Sequence, residues 1–330
     1  MNFIKNKNLL IHVNQINLFL FLFFIFMSYE EEKINIISIG KGDLFFLNSK
    51  FYIEPNEVII NGLPNMLCKK NCNFDEDINN ITIIFNIKLE SCENMFSGLS
   101  NIIEIDLSEF DTSNVIHMGY MFNDCINLEK IIFGNINTSL VKNMNYLFAN
   151  CQKLLSIDLS NFDTSFVTTM QSMFSNCEII TSLDVSKFNT RNVEDMTDMF
   201  SRCYKLTSIN ISNFDTSKVT SAWALFHSCY ELIYLDLSNF QTPVLTNVRS
   251  MFRFDAKLVY INLSSFIIRN VVDKWGTFKE TSSGLKVCLN DQYTKNLLKT
   301  SGVIFDCSDI CFTKNIKIDL NTKNCSKNCN

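Results

Sequence analysis

The 330-residue chain has few of the residues on which enzyme and metal chemistry most often depends. Histidine occurs only 3 times: His12 lies in an apolar N-terminal segment, and His117 and His227 occupy different positions of the repeat described below. The sequence also lacks the G-x-G-x-x-G, P-loop and H-E-x-x-H motifs. A histidine-based catalytic centre or a His-rich metal site therefore has almost nothing to be built from, and we expect neither a metal nor another cofactor.

The chain has no excess of positive charge. Its 29 Lys and Arg residues are outnumbered by 34 Asp and Glu residues, which gives a net charge of −5. A nucleic-acid-binding protein needs a basic face that displaces counterions from phosphates, so this balance argues against such a partner. The composition is 47% hydrophobic and 19% charged, which is typical of a globular protein and excludes wholesale disorder.

Long hydrophobic runs are also scarce, and the one that exists lies at the N-terminus. Lys5 and Lys7 precede the apolar residues 18–27, and an acidic stretch follows at 30–32. This order is typical of a secretory signal peptide, and the run is shorter than the roughly 20 residues that span a bilayer. We predict a signal peptide over residues 1–28 and a secreted or cell-surface protein. The alternatives are an uncleaved membrane anchor and a buried core helix. We expect contact with a membrane only if this segment remains uncleaved.

The middle of the chain is one unit repeated every 26 residues. Phenylalanine recurs at this interval at Phe96, Phe122, Phe148, Phe174, Phe200, Phe226, Phe252 and Phe278. Residues 154–162 have the L-x-x-L-x-L-x-x-F spacing of a short strand, and residues 163–165, Asp-Thr-Ser, suit a turn and a helix N-cap. The apolar positions in residues 167–177 predict one stripe on a short helix. Such a unit buries its apolar face only by stacking on its neighbours.

The repeated pattern M-F-x-x-C-x-x-L-x-x-L-D-L-S-x-F-D-T-S-x-V-x-x-M resembles the BspA-type leucine-rich repeat of secreted and surface proteins, over about residues 95–290. The resemblance implies an extracellular solenoid that acts in adhesion or ligand contact, and it does not imply an enzyme; we predict that the protein is not one. We therefore predict an α/β leucine-rich-repeat solenoid of seven to eight 26-residue units. The predicted divisions are a signal peptide or anchor (1–28), a β-rich N-terminal cap (29–94), the solenoid with its closing cap (95–300) and a Cys-rich tail (301–330).

The 13 cysteines form two groups. Five recur with the repeat and are predicted to be a buried ladder of free thiols, although bridges between coils or a metal column are alternatives: Cys125, Cys151, Cys177, Cys203 and Cys229. The other eight are disulfide candidates in a secreted chain, with a zinc site from the two terminal pairs as the alternative: Cys68, Cys72, Cys92, Cys288, Cys307, Cys311, Cys325 and Cys329.

Outward strand positions supply the candidate binding residues. Tyr234 and Tyr260 lie one repeat apart, and Asp236 lies close to them. Neighbouring exposed aromatics are frequent interface anchors, so we predict a ligand site here on the sheet face, although the tyrosines could instead only cover the end of the sheet. Asp158 and Asp184 continue the acidic column, as solvated carboxylates or as a Ca²⁺ ladder.

Glycosylation bears on this face. N-x-S/T sequons are candidates for glycosylation at Asn80, Asn137, Asn210, Asn262 and Asn324. Sugars on both Asn210 and Asn262 would cover the sheet face. The convex side, where Trp223 and Trp275 share a repeat phase, would then become the candidate surface.

These observations predict a binding or adhesion protein that contacts an extracellular protein or glycan. An intracellular structural or scaffold repeat protein without a dedicated ligand is the first alternative. A hydrolase located in the caps is the second alternative, and the lack of histidine after residue 33 in those caps disfavours it.

Overall fold

The computed structural model describes residues 31–307 and, as backbone only, residues 317–319 and 324–326. The strands are β1 (Glu32–Ile39), β2 (Gly42–Phe45), β3 (Glu57–Ile60), β4 (Leu63–Pro64), β5 (Asn71–Phe74), β6 (Ile78–Phe85), β7 (Ile102–Asp106), β8 (Lys130–Ile132), β9 (Ser182–Leu183), β10 (Ser208–Ile209), β11 (Tyr234–Asp236), β12 (Tyr260–Asn262), β13 (Leu285–Cys288), β14 (Val303–Phe305), β15 (Lys317–Asp319) and β16 (Asn324–Ser326). One helix, α1 (Gln292–Leu298), lies between β13 and β14. The predicted signal peptide lies outside the described residues, and within them no helix is long and apolar enough to span a bilayer.

The repeat region is a β-solenoid in which every coil pairs with the next in parallel. Isolated bridges link residues 26 apart, from Ser91 with His117 to Asn247 with Asp273. The coil strands follow the same step, as in the pairing of Tyr234 with Tyr260. The predicted solenoid with its 26-residue spacing is therefore confirmed, with about seven turns.

The predicted α/β class is wrong, because the segments expected to be helices are successive turns. Tyr146 and Asn150 have φ angles of 54° and 60°, and other coils repeat these left-handed residues. A right-handed helix cannot continue through such residues. The backbone N–H of Phe148 instead donates to the carbonyl of Met173 in the next coil (2.9 Å). Among the described residues the fold is nearly all β, with one helix.

The apolar stripe was nevertheless identified correctly as core. Val167, Met170, Met173, Phe174 and Cys177 are all fully buried. Inward side chains recur every three or four residues in these turns, as they would on one face of a helix, so periodicity alone did not distinguish the two backbones.

Columns of phenylalanine and of threonine side chains join the coils. The eight repeat phenylalanines stack in register, with ring centroids 5.5 to 6.1 Å apart. A buried threonine column runs beside the Asp-Thr-Ser turns. Thr164 Oγ1 accepts from the backbone N–H of Asn189 (2.8 Å) and donates to the carbonyl of the same residue (3.1 Å). Each such hydroxyl satisfies a donor and an acceptor of the next coil, and so fixes the stacking register.

The two ends of the solenoid are covered differently. At the N-terminus, a six-stranded sheet has the order β4-β3-β6-β1-β7-β8, and β1 pairs antiparallel with β7 of the first coil. At the C-terminus, β14 extends the sheet of β11, β12 and β13. Asp291 caps α1 by accepting from the Thr294 N–H, and its carboxylate receives two 2.7 Å hydrogen bonds from Arg269.

Candidate functional site

The sheet face does not present the pair of exposed tyrosines that the sequence predicts. Tyr234 is 44% exposed, whereas Tyr260 is only 3% exposed. The two tyrosines do lie side by side on neighbouring strands, as the repeat spacing predicts. However, Tyr260 packs with Cys288 and with Cys307 of the C-terminal segment, which covers it. The prediction of Tyr260 as an exposed anchor is therefore wrong, because the segment that closes the solenoid folds over this position.

The acidic column on the same face is engaged in turns. Asp158, Asp184 and Asp236 each accept a 3.0 Å hydrogen bond from the backbone N–H two residues further along. Hydrogen bonds from Ser160 and from Ser186 lower the pKa of Asp158 and of Asp184, respectively. The side chains of Asp158 and Asp184 are exposed, and Asp236 is half-buried. Their hydrogen bonds thus close the turn that follows each strand.

The described residues contain no group of three or more His, Cys, Asp or Glu side chains that could hold a metal ion.

Three of the sequon asparagines are exposed, namely Asn80, Asn137 and Asn210. Asn262 is half-buried, and its Oδ1 accepts from the Ser264 N–H, as in the turns of the acidic column. The side chain of Asn324 lies outside the described residues.

The end cysteines are only partly paired as predicted. Disulfides join Cys68 to Cys72 and Cys288 to Cys307. Cys92 is a buried free thiol, so its assignment as a disulfide candidate is wrong. It lies 26 residues before Met118 and takes the same core position in the first coil. Two of the tail cysteines, 311 and 329, lie outside the described residues, and only the backbone of residue 325 is described.

The ladder thiols are buried and free in this structure. Each Sγ donates to the carbonyl of a phenylalanine 29 residues earlier, as Cys151 does to Phe122 (3.2 Å). Burial raises the pKa of Cys125 and of Cys203 to about 12. Since the thiolate is the reactive form, these side chains act as packing residues with one weak hydrogen bond.

Sequence reasoning missed the residue that ends this ladder. Asp255 lies 26 residues after Cys229 and is fully buried. Its Oδ1 accepts from the Cys229 N–H (2.8 Å), and its Oδ2 has no hydrogen-bond partner. Burial raises the pKa of Asp255 well above its ordinary value. The break in the cysteine column at this position was the signal that could have found it.

The most distinctive surface lies outside the phenylalanine column, on what we call the turn face: the outward side chains of the turns that carry those phenylalanines. Trp223, Arg249 and Trp275 take the same repeat position in three successive coils. The Arg249 and Arg253 guanidinium groups each lie 4.9 Å from the Trp275 ring centroid. Together with Tyr146 these residues line a groove of about 440 Å³.

Charged and titratable side chains also line this groove. Burial, followed by the charges of Arg202 and Arg253, lowers the pKa of His227. Burial raises the pKa of Asp198. In both cases burial in the groove disfavours the charged form of the side chain. Arg202 and Arg253 also give the groove a positive potential.

Fold and surface together define a β-solenoid of 26-residue repeats with an aromatic and basic groove on its turn face. The family model described as "Mycoplasma protein of unknown function, DUF285" matches residues 90–205 and 177–291. The two matches together cover more than half of the chain, and the chain belongs to this family. Comparison with curated proteins and with solved structures found no match.

Proposed function

We propose that this protein is a secreted or cell-surface binding protein of the BspA-type repeat class, without catalytic activity. The signal-peptide pattern of residues 1–28 and the disulfides support an oxidising, extracellular location. The repeat gives an extended surface on which outward residues vary while the inward columns keep the fold.

The partner contacts the turn-face groove in this proposal, and not the sheet face. The observation that carries the choice is the pair Trp223 and Trp275, which line the groove and remain 41% and 48% exposed. Aromatic and arginine side chains are the residues that most often anchor interfaces. On the sheet face, by contrast, Tyr260 is buried and the aspartates close turns.

A binding experiment on intact cells tests this function. The purified, fluorescently labelled protein is applied to cells and to extracellular matrix, beside the double variant Trp223→Ala/Trp275→Ala. We expect saturable binding that the double variant loses. Tyr230→Ala is the matched control, since Tyr230 is 42% exposed but stacks on Tyr204, outside the groove. Thermal unfolding of each variant verifies that it is folded.

Two results would count against the proposal. If the wild-type protein shows no saturable binding, the proposed binding function is wrong. If the double variant binds as well as the wild type, the groove is not the binding site.

The proposed extracellular location has its own test. Mass spectrometry of protein from its native cells should find sugar on Asn137 or Asn210 and the Cys288–Cys307 disulfide. An intracellular scaffold would show neither.

A further inference from the structure

We infer that the turn-face groove binds an acidic glycan, a sugar chain bearing carboxylate or sulfate groups. This inference rests on the proposed binding function and names the ligand class for the same groove.

The first observation is a cluster of cations held together on one ring. Arg249, Arg253 and Lys279 all approach the Trp275 ring, at 4.9, 4.9 and 5.1 Å from its centroid. Arg249 and Arg253 both line the groove, so an oxyanion bound there would be attracted by their charges. The planar guanidinium also matches a carboxylate or sulfate in shape and hydrogen-bond geometry.

These arginines keep donors available for a ligand. Arg249 makes one ion-pair contact of 3.4 Å with Asp273, and Arg253 makes one of 3.3 Å with Glu280. At the C-terminal cap, in contrast, Arg269 makes two 2.7 Å hydrogen bonds to one carboxylate. The groove arginines are therefore held in place but incompletely paired.

The second observation is where the groove begins. Tyr120 and Tyr146 stack at 4.7 Å at one repeat position of the N-terminal coils. From Ser172 onward smaller side chains take that position, including Ala224 and Ser250. Tyr146 thus forms an end wall, and the floor beyond it is open along the solenoid.

The third observation favours a sugar over a peptide strand. The backbone N–H groups of the floor are already bonded to the next coil, as Ala224 is to Arg249 and Ser250 to Trp275 (2.9 Å each). A peptide that binds by adding a strand needs such groups unpaired. Side chains instead line the site: exposed indoles for the apolar ring faces of sugars, and serine hydroxyls for their polar edges.

Titration calorimetry with defined polymers tests the ligand class on the folded protein. The probes are polygalacturonate (carboxylate), dextran sulfate (sulfate), neutral dextran and poly-L-glutamate. We expect one or both acidic polysaccharides to bind, more weakly as salt rises. The variant Arg249→Gln/Arg253→Gln should weaken binding by about tenfold or more. Lys257→Gln removes a positive charge that pairs with Glu231 outside the groove, and should leave affinity unchanged.

Each outcome decides one point. The acidic polysaccharide that binds with the higher affinity shows whether carboxylate or sulfate is the recognised group. If neutral dextran binds equally well, the ligand need not be acidic and the inference is wrong. If poly-L-glutamate binds equally well or more tightly, the inference that the ligand is a glycan is wrong. If no acidic polysaccharide binds while Trp223→Ala/Trp275→Ala still abolishes cell binding, the ligand class is wrong and the proposed function stands. If neither an acidic polysaccharide nor the cells bind the wild-type protein, both the ligand class and the proposed function are wrong.

Discussion

The inside and the turn face of the same coils differ in how strictly they repeat. Inside, phenylalanine stacks on phenylalanine through eight repeat positions, and each ladder thiol meets the same kind of carbonyl. Outside, the position held by Gly119 in an early coil is held by Trp223, Arg249 and Trp275 in later ones. An inward residue must fit identical neighbours on both sides, whereas an outward residue meets solvent. The comparison indicates that packing sets the repeat and that specificity resides in its outward exceptions.

The largest effect should come from breaking the inside column. Phe174 is fully buried between Phe148 and Phe200, so Phe174→Ala should destabilise the protein by about 3–5 kcal/mol through lost burial and a cavity. Phe166→Ala is the matched control, because Phe166 is 57% exposed and should change stability by less than about 0.5 kcal/mol. Urea unfolding measures both. Similar losses for the two variants would contradict the contrast between inside and outside.

A smaller loss is expected in the threonine column. Thr164→Val keeps the shape of the side chain but removes the acceptor of the Asn189 N–H and the donor to its carbonyl. An unsatisfied buried donor costs about 1–3 kcal/mol, and we expect a loss of that size in urea unfolding. Ser165→Ala, in the next residue of the same turn, should cost less. A Thr164→Val variant as stable as the wild type would show that these bonds do not fix the register.

These columns also show what could be predicted from the sequence. The 26-residue step, the coil pairing and the buried identity of Met170 or Cys177 follow from spacing, since apolar residues in register must stack. The backbone between them did not follow. Left-handed residues such as Tyr146 and Asn150 are not glycines, so composition gave no sign of the turns that replace the helices.

For the candidate site, the outcome depended on distant contacts. The register of Tyr234 with Tyr260 was predictable, but Tyr260 is buried in a cluster with Cys288, against which Cys307, 47 residues further along the chain than Tyr260, packs. The shared phase of Trp223 and Trp275 was visible in the sequence. That Arg253 lies over the same ring required the structure, because its repeat position differs.

The cysteine ladder is interrupted at Asp255, and replacing this residue should stabilise the protein. The pKa of Asp255 is raised in the folded state, so above its ordinary value of 3.8 the folded chain holds more protons than the unfolded chain. Stability therefore falls as pH rises through that range. Asp255→Asn should raise the free energy of unfolding by about 1–2 kcal/mol at pH 7.5. The gain should shrink toward pH 4.5, because the wild-type chain loses less stability from this group as the pH approaches the ordinary pKa.

Asp255→Cys sharpens this prediction, because it continues the ladder of Cys229. It should also stabilise the protein at pH 7.5, and urea unfolding at both pH values measures the two variants. A loss of stability with either substitution at pH 7.5, or a gain that is independent of pH, would mean that burying the ionisable carboxyl of Asp255 does not cost folding free energy.

The smallest effect should come from the charged part of the turn face. Burial, Arg202 and Arg253 lower the pKa of His227, so below about pH 6.5 the unfolded chain binds a proton that the folded chain resists. Stability is then fully present above pH 6.5 and falls as pH decreases toward the folded-state pKa. His227→Gln should reduce this fall by about half a kcal/mol, since the half-buried side chain is partly screened. Thermal unfolding at pH 7.5 and 5.5 measures it. His117→Gln, on the first solenoid bridge, is the control; an equal change there would show that the arginines of the groove are not the cause.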